Sequence, residues 1–213
     1  MAGQFITFEG PEGSGKSTQI RLLTERLEAR GIKVVQTREP GGTATGEMIR
    51  NLLQHDAAGE PLSDRSELLL FTASRAQLMN SVILPALERG EWVLCDRFID
   101  STLAYQGYAR GMEVSVLDQI NEFAIYGRKP ELTILLDLDV ETGFSRLESR
   151  YASTDESHDR FECEDRSFHE RVRGGYHQLA DRAPERFRVI DSTRPIETVS
   201  EEVWTAVREA LLP

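Results

Sequence analysis

Residues 10–17 read Gly-Pro-Glu-Gly-Ser-Gly-Lys-Ser, and this stretch decides the fold. Two glycines separated by four residues and followed by Lys-Ser have the spacing of a loop that wraps around a phosphate chain. The apolar stretch 4–9 before the loop is typical of a strand. After the loop, apolar residues recur with helical spacing at Ile20, Leu23 and Leu27. The sequence therefore predicts a strand, a phosphate-binding loop and a helix in succession.

The composition of the loop explains how it binds an anion. Glycines tolerate backbone conformations that other residues avoid, so the chain can turn tightly. Successive N–H groups and the positive end of the helix then face one anion. In this pattern Lys16 reaches the outer phosphates and the Ser17 hydroxyl binds Mg²⁺. A glycine-rich turn that carries Lys-Ser by chance is the alternative, but both flanks favour a nucleoside triphosphate site.

The composition of the whole chain sets the class of protein. With 213 residues it is long enough for one α/β domain, and we predict a single domain over 1–213. A net charge of −11 argues against a nucleic-acid surface, which needs a broad basic field. No apolar run is long enough to cross a membrane, and the chain begins with a strand instead of a signal peptide. We therefore expect a cytoplasmic protein that binds neither nucleic acid nor membrane.

Strands alternate with helices along the rest of the chain. Further strands are expected at 32–37, 91–95, 132–138 and 187–190. Helical patterns follow near 48–53, from Asp64 onward, and at 113–127, 140–150, 165–182 and 196–212. This alternation predicts an α/β fold with a five-stranded, mostly parallel sheet and helices on both faces. Ligands bind such sheets at the carboxyl ends of the strands.

The helix from Asp64 onward carries two boundary signals. Glu67 follows Asp64 at the spacing of a capping box, which predicts the start of the helix. Pro85 is expected to end or kink the helix, because proline lacks the N–H that a helix interior needs.

Charged residues follow several predicted strands. Asp96 and Arg97 follow the strand 91–95, and Asp137 ends another strand. Either carboxylate can hold Mg²⁺ beside Ser17. We favour Asp96, because the adjacent Arg97 can bind a second phosphate near the same ion. Asp137 would then cap a helix or support the site.

Arg38 also lies at a strand end, so we expect it at the same edge of the sheet as Arg97. Together with Lys16, the two arginines suggest two phosphate groups, one from the triphosphate and one from an acceptor. An ion pair between Arg38 and Glu39 is the alternative.

The stretch 151–158 is polar and rich in small residues, and arginines flank it. A mobile lid over the site, at about 146–164, is the functional interpretation, and a plain surface loop is the alternative.

Other nucleotide-binding classes fit less well. The sequence lacks an Asn-Lys-x-Asp segment for guanine and a Leu-Ser-Gly-Gly transporter signature. A kinase for a small molecule is therefore favoured. A nucleotide-binding protein that does not transfer phosphate, and a kinase for an acceptor such as dUMP or a nucleoside, stay open as alternatives.

Six motifs occur in the order of one known family. They are FEGPEGSGKST at 8–18, REPGGT at 38–43, LFTASR at 70–75, DRF at 96–98, STLAYQG at 101–107 and DRFE at 159–162. Together they resemble the bacterial thymidylate kinases, which belong to the nucleoside monophosphate kinases. The resemblance implies a P-loop NTPase fold with a mobile lid, a homodimer, Mg²⁺, and phosphorylation of dTMP to dTDP by ATP in dTTP biosynthesis.

The resemblance also implies roles for individual residues. Phe71 would stack on the thymine ring and Arg75 would donate to a base carbonyl, although by position alone Phe71 would be a core residue and Arg75 a surface residue. Glu12 would bind the 3′-hydroxyl, and Tyr105 would crowd the 2′ position. The implied dTMP-binding set is Glu12, Arg38, Phe71, Arg75, Arg97, Ser101, Thr102, Tyr105 and Gln106.

The donor side is implied in the same way. The ATP-binding set is Gly10, Pro11, Glu12, Gly13, Ser14, Gly15, Lys16, Ser17 and Thr18, with Arg146 from the lid and Arg194 from the loop after the last strand. The catalytic set is Lys16, Arg97, Glu12, Arg150 and Arg160, and the metal ligands are Ser17 and Asp96. Because Gly13 stands where some relatives carry a basic residue, an additional cation is expected from the lid.

Overall fold

Five strands form the centre of the protein in the computed structural model, which describes residues 2–55, 59–152 and 159–212. The strands are β1 (Phe5–Glu9), β2 (Val34–Arg38), β3 (Trp92–Asp96), β4 (Leu132–Asp137) and β5 (Phe187–Asp191). All four pairings are parallel, and the order in the sheet is β2-β3-β1-β4-β5. The predicted five-stranded parallel sheet is confirmed.

Within the described residues, helices lie between successive strands, and one more helix follows β5. They are α1 (Lys16–Glu28), α2 (Ala44–Gln54), α3 (Asp64–Leu78), α4 (Leu84–Glu88), α5 (Ile99–Thr102), α6 (Val114–Ala124), α7 (Val140–Tyr151), α8 (Arg166–Arg182) and α9 (Ile196–Leu211). π-Helical segments occur at Met79–Ile83 and Leu103–Ala109. Hydrophobic periodicity predicted the longer helices to within a few residues, but it did not predict α5 and the π-helical segment after it.

The three inner strands of the sheet, β1, β3 and β4, are buried on both faces. Ile6 and Phe8 pack with α1 and α9 on one side, and Phe5 and Cys95 pack with α3 and its neighbours on the other. Successive residues of a strand point to opposite faces, so a sheet covered on both sides requires continuous apolar strands. This burial explains why β1, β3 and β4 are mostly apolar, whereas the edge strands β2 and β5 carry more polar residues.

The start of α3 differs from the prediction. The N-cap is Ser63, whose hydroxyl oxygen accepts a hydrogen bond from the backbone N–H of Ser66 at 3.2 Å. Glu67 closes no capping box, because its carboxylate is buried and binds Arg110 and Arg160 instead. The spacing of Asp64 and Glu67 therefore predicted the start of the helix correctly, but the capping box that it suggested does not form.

Pro85 also has a different environment from the one expected. α3 ends at Leu78, five residues form a π-helical turn, and α4 then begins at Leu84 with Pro85 in its first turn. The helical path is continuous here, because Ile83 has helical dihedral angles and the N–H of Leu84 donates to the carbonyl oxygen of Met79. Pro85, which has no N–H, therefore lies directly after the π-helical turn and does not end the helical path.

The phosphate-binding loop and α7 approach each other backbone to backbone. A Cβ on Gly13 would lie 2.5 Å from the carbonyl oxygen of Gly143, and a Cβ on Gly143 would lie 2.6 Å from that of Glu12. Gly13 also has a φ of +73°, which disfavours other residues. The two glycines therefore allow α7 to support the loop directly.

This contact predicts opposite effects of two glycine-to-alanine changes. Gly143→Ala should lower the free energy of unfolding by about 1–3 kcal/mol, because the new methyl group overpacks the contact with the loop. The matched control is Gly174→Ala in α8, where no atom beyond the adjacent backbone of its own helix lies within 4 Å of the new Cβ. It should raise stability by roughly 0.5–1 kcal/mol through helix propensity. Urea unfolding measures both, and stabilisation by both changes would contradict the close contact.

Candidate active site

A cleft of about 860 Å³ opens at the carboxyl ends of the strands. Its wall contains residues 12–18, Arg38, Arg50, Phe71, Arg75, Asp96, Arg97, Ser101, Thr102, Tyr105, Gln106, Arg146 and Arg150, among others. Most of the side chains predicted from the sequence to form the site therefore meet in one cleft.

Lys16 lies over the loop that precedes it. Its Nζ donates to the carbonyl oxygens of Gly10 at 3.1 Å and Pro11 at 3.0 Å, and to the hydroxyl oxygen of Ser14 at 3.3 Å. Burial, together with the positive charge of Arg97, lowers the pKa of this lysine. The ammonium group is thus held at the N-terminus of α1, where the helix dipole favours an anion.

Ser17 and Asp96 lie side by side. The Ser17 hydroxyl donates to Oδ2 of Asp96 at 2.9 Å. The other candidate carboxylate, Asp137, instead accepts two hydrogen bonds from Arg173 at 2.8 Å each and contacts Nε2 of His177 at 3.1 Å. Burial raises the pKa of Asp137, but Arg173 and His177 outweigh it and keep the pKa below its usual value. The two carboxylates therefore have different surroundings.

Arg97 joins the two sides of the cleft. Its guanidinium donates to Oε1 of Glu12 at 2.5 Å and to the carbonyl oxygen of Gly10 at 3.2 Å. The Tyr105 hydroxyl donates to the same Glu12 oxygen at 2.9 Å. Burial raises the pKa of Glu12, but the charges of Arg97 and Lys16 overcome this effect and lower it to about 2. Glu12 therefore stays ionised and ready to accept a hydrogen bond from a hydroxyl group.

The backbone of Arg97 is itself unusual. Its φ is +68°, in the left-handed region that residues other than glycine avoid. Such conformations are concentrated at functional sites, where the surrounding structure enforces them.

Glu9 lies beneath this cluster, and the sequence analysis assigned it no role. It is fully buried and accepts hydrogen bonds from the backbone N–H of Phe98 at 2.8 Å, from Ser101 at 2.6 Å and from Tyr176 at 2.9 Å. Burial and the nearby Asp100 raise its pKa to about 7. The available sequence signal was a lone carboxylate ending an otherwise apolar strand.

Arg75 is a core residue and does not lie on the surface. It is 1% exposed and donates to Glu39, Thr102, Asn121 and the carbonyl oxygen of Phe98. These bonds use all of its N–H groups, so a ligand carbonyl would have to share one of them. Arg75 nevertheless lines the cleft and fixes the groups around it.

Phe71 and Arg38 lie at two other points of the cleft wall. The Phe71 ring packs against Phe161 with ring centroids 5.7 Å apart, and it stays partly exposed. Arg38 pairs with Glu47 at 3.0 Å. The alternative in which Arg38 pairs with Glu39 was wrong, because Glu39 is the partner of Arg75.

Arg50 is a residue of the cleft wall that the sequence analysis missed. Its guanidinium donates to the carbonyl oxygen of Pro40 at 3.0 Å, and burial and the charge of Arg38 lower its pKa. It follows the apolar Ile49 on α2, where an arginine reads as an ordinary surface residue. The acceptor side of the cleft thus contains Arg50 in addition to Arg38, Arg75 and Arg97.

The arginines of the expected lid differ in position. Arg146 donates to the carbonyl oxygens of Gly13 at 3.3 Å and Ser192 at 2.9 Å, so it joins the loop to the segment after β5. Arg150 lies in the cleft wall and donates to Tyr151 and Glu162.

Arg160 and Arg194 lie outside the cleft wall. Arg160 binds Glu67 at 2.6 Å and the carbonyl oxygen of Leu53 at 3.0 Å. Arg194 is half exposed and pairs with Asp191 and Glu202. Residues 153–158, which contain most of the acidic stretch of the expected lid, lie outside the described residues.

A family model described as thymidylate kinase matches residues 8–203. The chain belongs to this family. A thymidylate kinase of Pelotomaculum thermopropionicum is 51% identical over 211 residues, which cover 99% of this chain and 95% of that protein. A thymidylate kinase of Bacillus pumilus is 44% identical, with coverage of 99% and 98%. The resemblance to thymidylate kinases is therefore confirmed.

A solved thymidylate kinase supports the fold as well. The crystal structure of thymidylate kinase from Ehrlichia chaffeensis aligns with a TM-score of 0.77 at 38% identity, covering 97% of this chain and 99% of that chain. The expected P-loop NTPase fold is confirmed. No helix within the described ranges is long and apolar enough to span a bilayer.

The environment of Glu9 predicts a pH effect on stability. Because its pKa is raised from 4.5 to about 7, the folded protein binds this proton more tightly than the unfolded chain does. The stabilisation is complete below pH 4.5 and is lost as the pH rises through about 7. Glu9→Gln cannot ionise, so it should gain stability relative to the wild type between about pH 5 and pH 8.5.

Urea unfolding at both pH values measures this difference. The matched control is Glu28→Gln at an exposed position of α1. If the difference in the free energy of unfolding between the wild type and Glu9→Gln does not change with pH, the raised pKa of Glu9 is contradicted.

Proposed function

We propose that this chain transfers the terminal phosphoryl group of ATP to dTMP and forms ADP and dTDP, a step of dTTP synthesis. The observation that carries the proposal is the family match over 8–203. The cleft supports it, because a phosphate-binding loop and a strand-end arginine face the same space.

The donor side of the cleft suits ATP. The N–H groups of the loop 10–15 and the N-terminus of α1 bind the phosphates, with Lys16 as counter-charge and Thr18 next to Ser17. Arg146 contacts both the loop and Ser192, which supports an adenine site on this side of the cleft. Arg194 belongs to the loop that continues from Ser192.

The side chains of Ser17 and Asp96 fit a magnesium ion. A hydroxyl and a carboxylate oxygen are the hard ligands that Mg²⁺ prefers, and they already contact each other. No cluster of three or more His, Cys, Asp or Glu suited to a metal occurs among the described residues. Mg²⁺ held by Ser17, Asp96 and the nucleotide would neutralise phosphate charge. The ion pair of Asp137 with Arg173 supports the choice of Asp96.

The acceptor side suits a deoxynucleoside monophosphate. Arg38 and Arg97 bind its phosphate, and Arg50 adds positive charge nearby. Phe71 stacks on the base, and Glu12 accepts a hydrogen bond from the 3′-hydroxyl. The remaining pocket is formed by Arg75, Ser101, Thr102, Tyr105 and Gln106. Tyr105 is held by Glu12 and thereby crowds the 2′ position.

Catalysis consists of positioning and charge. The second pKa of a phosphate monoester is about 6, so the acceptor is a dianion near neutral pH and needs no general base. The obstacle is repulsion between two anions. Lys16, Arg97 and an arginine of the lid supply the counter-charge, and closure of the lid at about 146–164 excludes water. Arg150 fits this role better than Arg160, because Arg150 lies in the cleft wall.

We also propose that the protein is a homodimer. Leu69 on α3 is 59% exposed, and Phe123 on α6 is 85% exposed. Large exposed apolar side chains on neighbouring helices are typical of a protein interface.

Phe123→Glu should therefore yield monomers in sedimentation experiments, whereas Ile196→Glu on the opposite face of the sheet should not. Dimers that persist in Phe123→Glu would argue against this face.

A cytoplasmic location of the protein stays a prediction.

The proposed roles of Lys16 and Arg97 predict a large loss of turnover. Lys16→Ala and Arg97→Ala should each lower kcat at least about 100-fold, because each removes a charge that stabilises the transition state. Arg21→Ala, at an exposed position of α1, is the matched control and should keep wild-type turnover. A coupled assay of ADP release with ATP and dTMP measures all three variants. A kcat equal to that of the wild type in either active-site variant would contradict the proposed mechanism.

The same assay distinguishes the remaining alternatives. Wild-type protein should release ADP with dTMP present and only slowly without an acceptor. No acceptor-dependent release would favour a nucleotide-binding protein without transfer, and faster release with dUMP or thymidine would favour another acceptor.

A further inference from the structure

Glu67 is a buried carboxylate outside the roles given above. It lies on α3, is 1% exposed and accepts hydrogen bonds from three side chains. The donors are Gln106 at 2.8 Å, Arg110 at 2.8 and 3.1 Å, and Arg160 at 2.6 Å. Glu67 thus connects the acceptor pocket, through Gln106, with the C-terminal part of the expected lid, through Arg160.

This arrangement determines which way the Gln106 amide faces. A carboxylate between two guanidinium groups accepts hydrogen bonds and donates none. Gln106 must therefore turn its NH₂ group toward Glu67, which places its carbonyl oxygen Oε1 on the other side. No described residue donates to Oε1, and Oε1 is absent from the fully buried, unpartnered oxygens of the described residues. Gln106 lies in the cleft wall, and Oε1 is the polar atom of its side chain that Glu67 does not engage.

An acceptor oxygen in this place distinguishes the pyrimidine bases. Thymine and uracil present an N–H at ring position 3, whereas neutral cytosine presents a bare nitrogen there. Oε1 can accept from the first two bases but would face an unpaired acceptor on cytosine. A polar group that is left unpaired in a closed pocket is costly, so such a site rejects the mismatched base.

We propose that Glu67 is a positioning residue: it fixes Gln106 with the carbonyl oxygen toward the acceptor nucleotide, so that the pocket selects bases with a ring N–H. The inference rests on the proposed function, because it assumes that the acceptor is a nucleoside monophosphate. Glu67 does not contact the base and acts through Gln106.

The test uses Glu67→Gln and three acceptors, dTMP, dUMP and dCMP, whose Kd values are measured by calorimetry. The new amide can donate to Gln106, which allows the Gln106 amide to reverse. We expect dTMP and dUMP to bind about 10-fold more weakly, as for loss of one hydrogen bond, and dCMP to bind no more weakly. The Kd of ATP should stay unchanged.

Two further variants complete the test. Glu88→Gln removes an exposed carboxylate from α4 and should leave every Kd unchanged. Gln106→Met removes the acceptor oxygen but leaves Glu67 in place. Gln106→Met should weaken the binding of dTMP and dUMP but not that of dCMP. The double variant with Glu67→Gln should have the same ratio of dTMP and dCMP Kd values as Gln106→Met alone. If Glu67→Gln does not fold, Gln106→Met decides: an unchanged ratio of the dTMP and dCMP Kd values in this variant would overturn the inference, because the oxygen that Glu67 is proposed to direct would then not select the base.

The outcomes separate this inference from the proposed function. The positioning role would be overturned if the folded variants bound all three nucleotides more weakly by the same factor. It would also be overturned if they bound all three as tightly as the wild type does. If the wild type shows dTMP-dependent ADP release but Glu67→Gln and Gln106→Met keep full discrimination, only this inference fails. If the wild type shows no such release, the proposed function itself fails.

Discussion

The parallel pairing of β1 with β3 is the constraint on which the site depends. Phe8 pairs with Asp96, and the backbone N–H of Arg97 donates to the carbonyl oxygen of Phe8 at 2.9 Å. The phosphate-binding loop and the Asp96-Arg97 pair therefore leave the sheet side by side. This register lets Ser17 reach Asp96 and lets Arg97 reach the loop. A slip by one residue would reverse the faces of the strand and separate these groups.

The charges of the cleft are held in place by internal partners before a substrate arrives. Lys16 is held by carbonyl oxygens of its own loop, Arg97 by Glu12, and Arg38 by Glu47. An acidic protein with a net charge of −11 thus concentrates positive charge where two phosphates must meet. Charges arranged in advance cost little reorganisation during the reaction, which is the main way an enzyme lowers an electrostatic barrier.

Local patterns in the sequence were sufficient for the sheet, the longer helices and the phosphate-binding loop, because each of these depends on spacing within a short stretch. The pattern failed where a side chain finds its partner far along the chain. Glu67 resembles part of a capping box, but its partners are Arg110 and Arg160. The sequence pattern places Arg75 on the surface, yet its side chain is buried and donates hydrogen bonds to Glu39 and Asn121. Helical spacing cannot show which polar residue will be paired inside the protein.

The central claim is that one cleft binds a triphosphate at the loop and a nucleoside monophosphate at Arg97. The most direct measurement is calorimetry with adenosine and thymidine joined through a chain of five phosphates. We predict that one molecule binds per chain, at least about 10-fold more tightly than ATP or dTMP alone, since the second contact becomes intramolecular. Both ATP and dTMP should compete with it. Affinity no better than that of ATP, or binding that dTMP does not displace, would contradict the account.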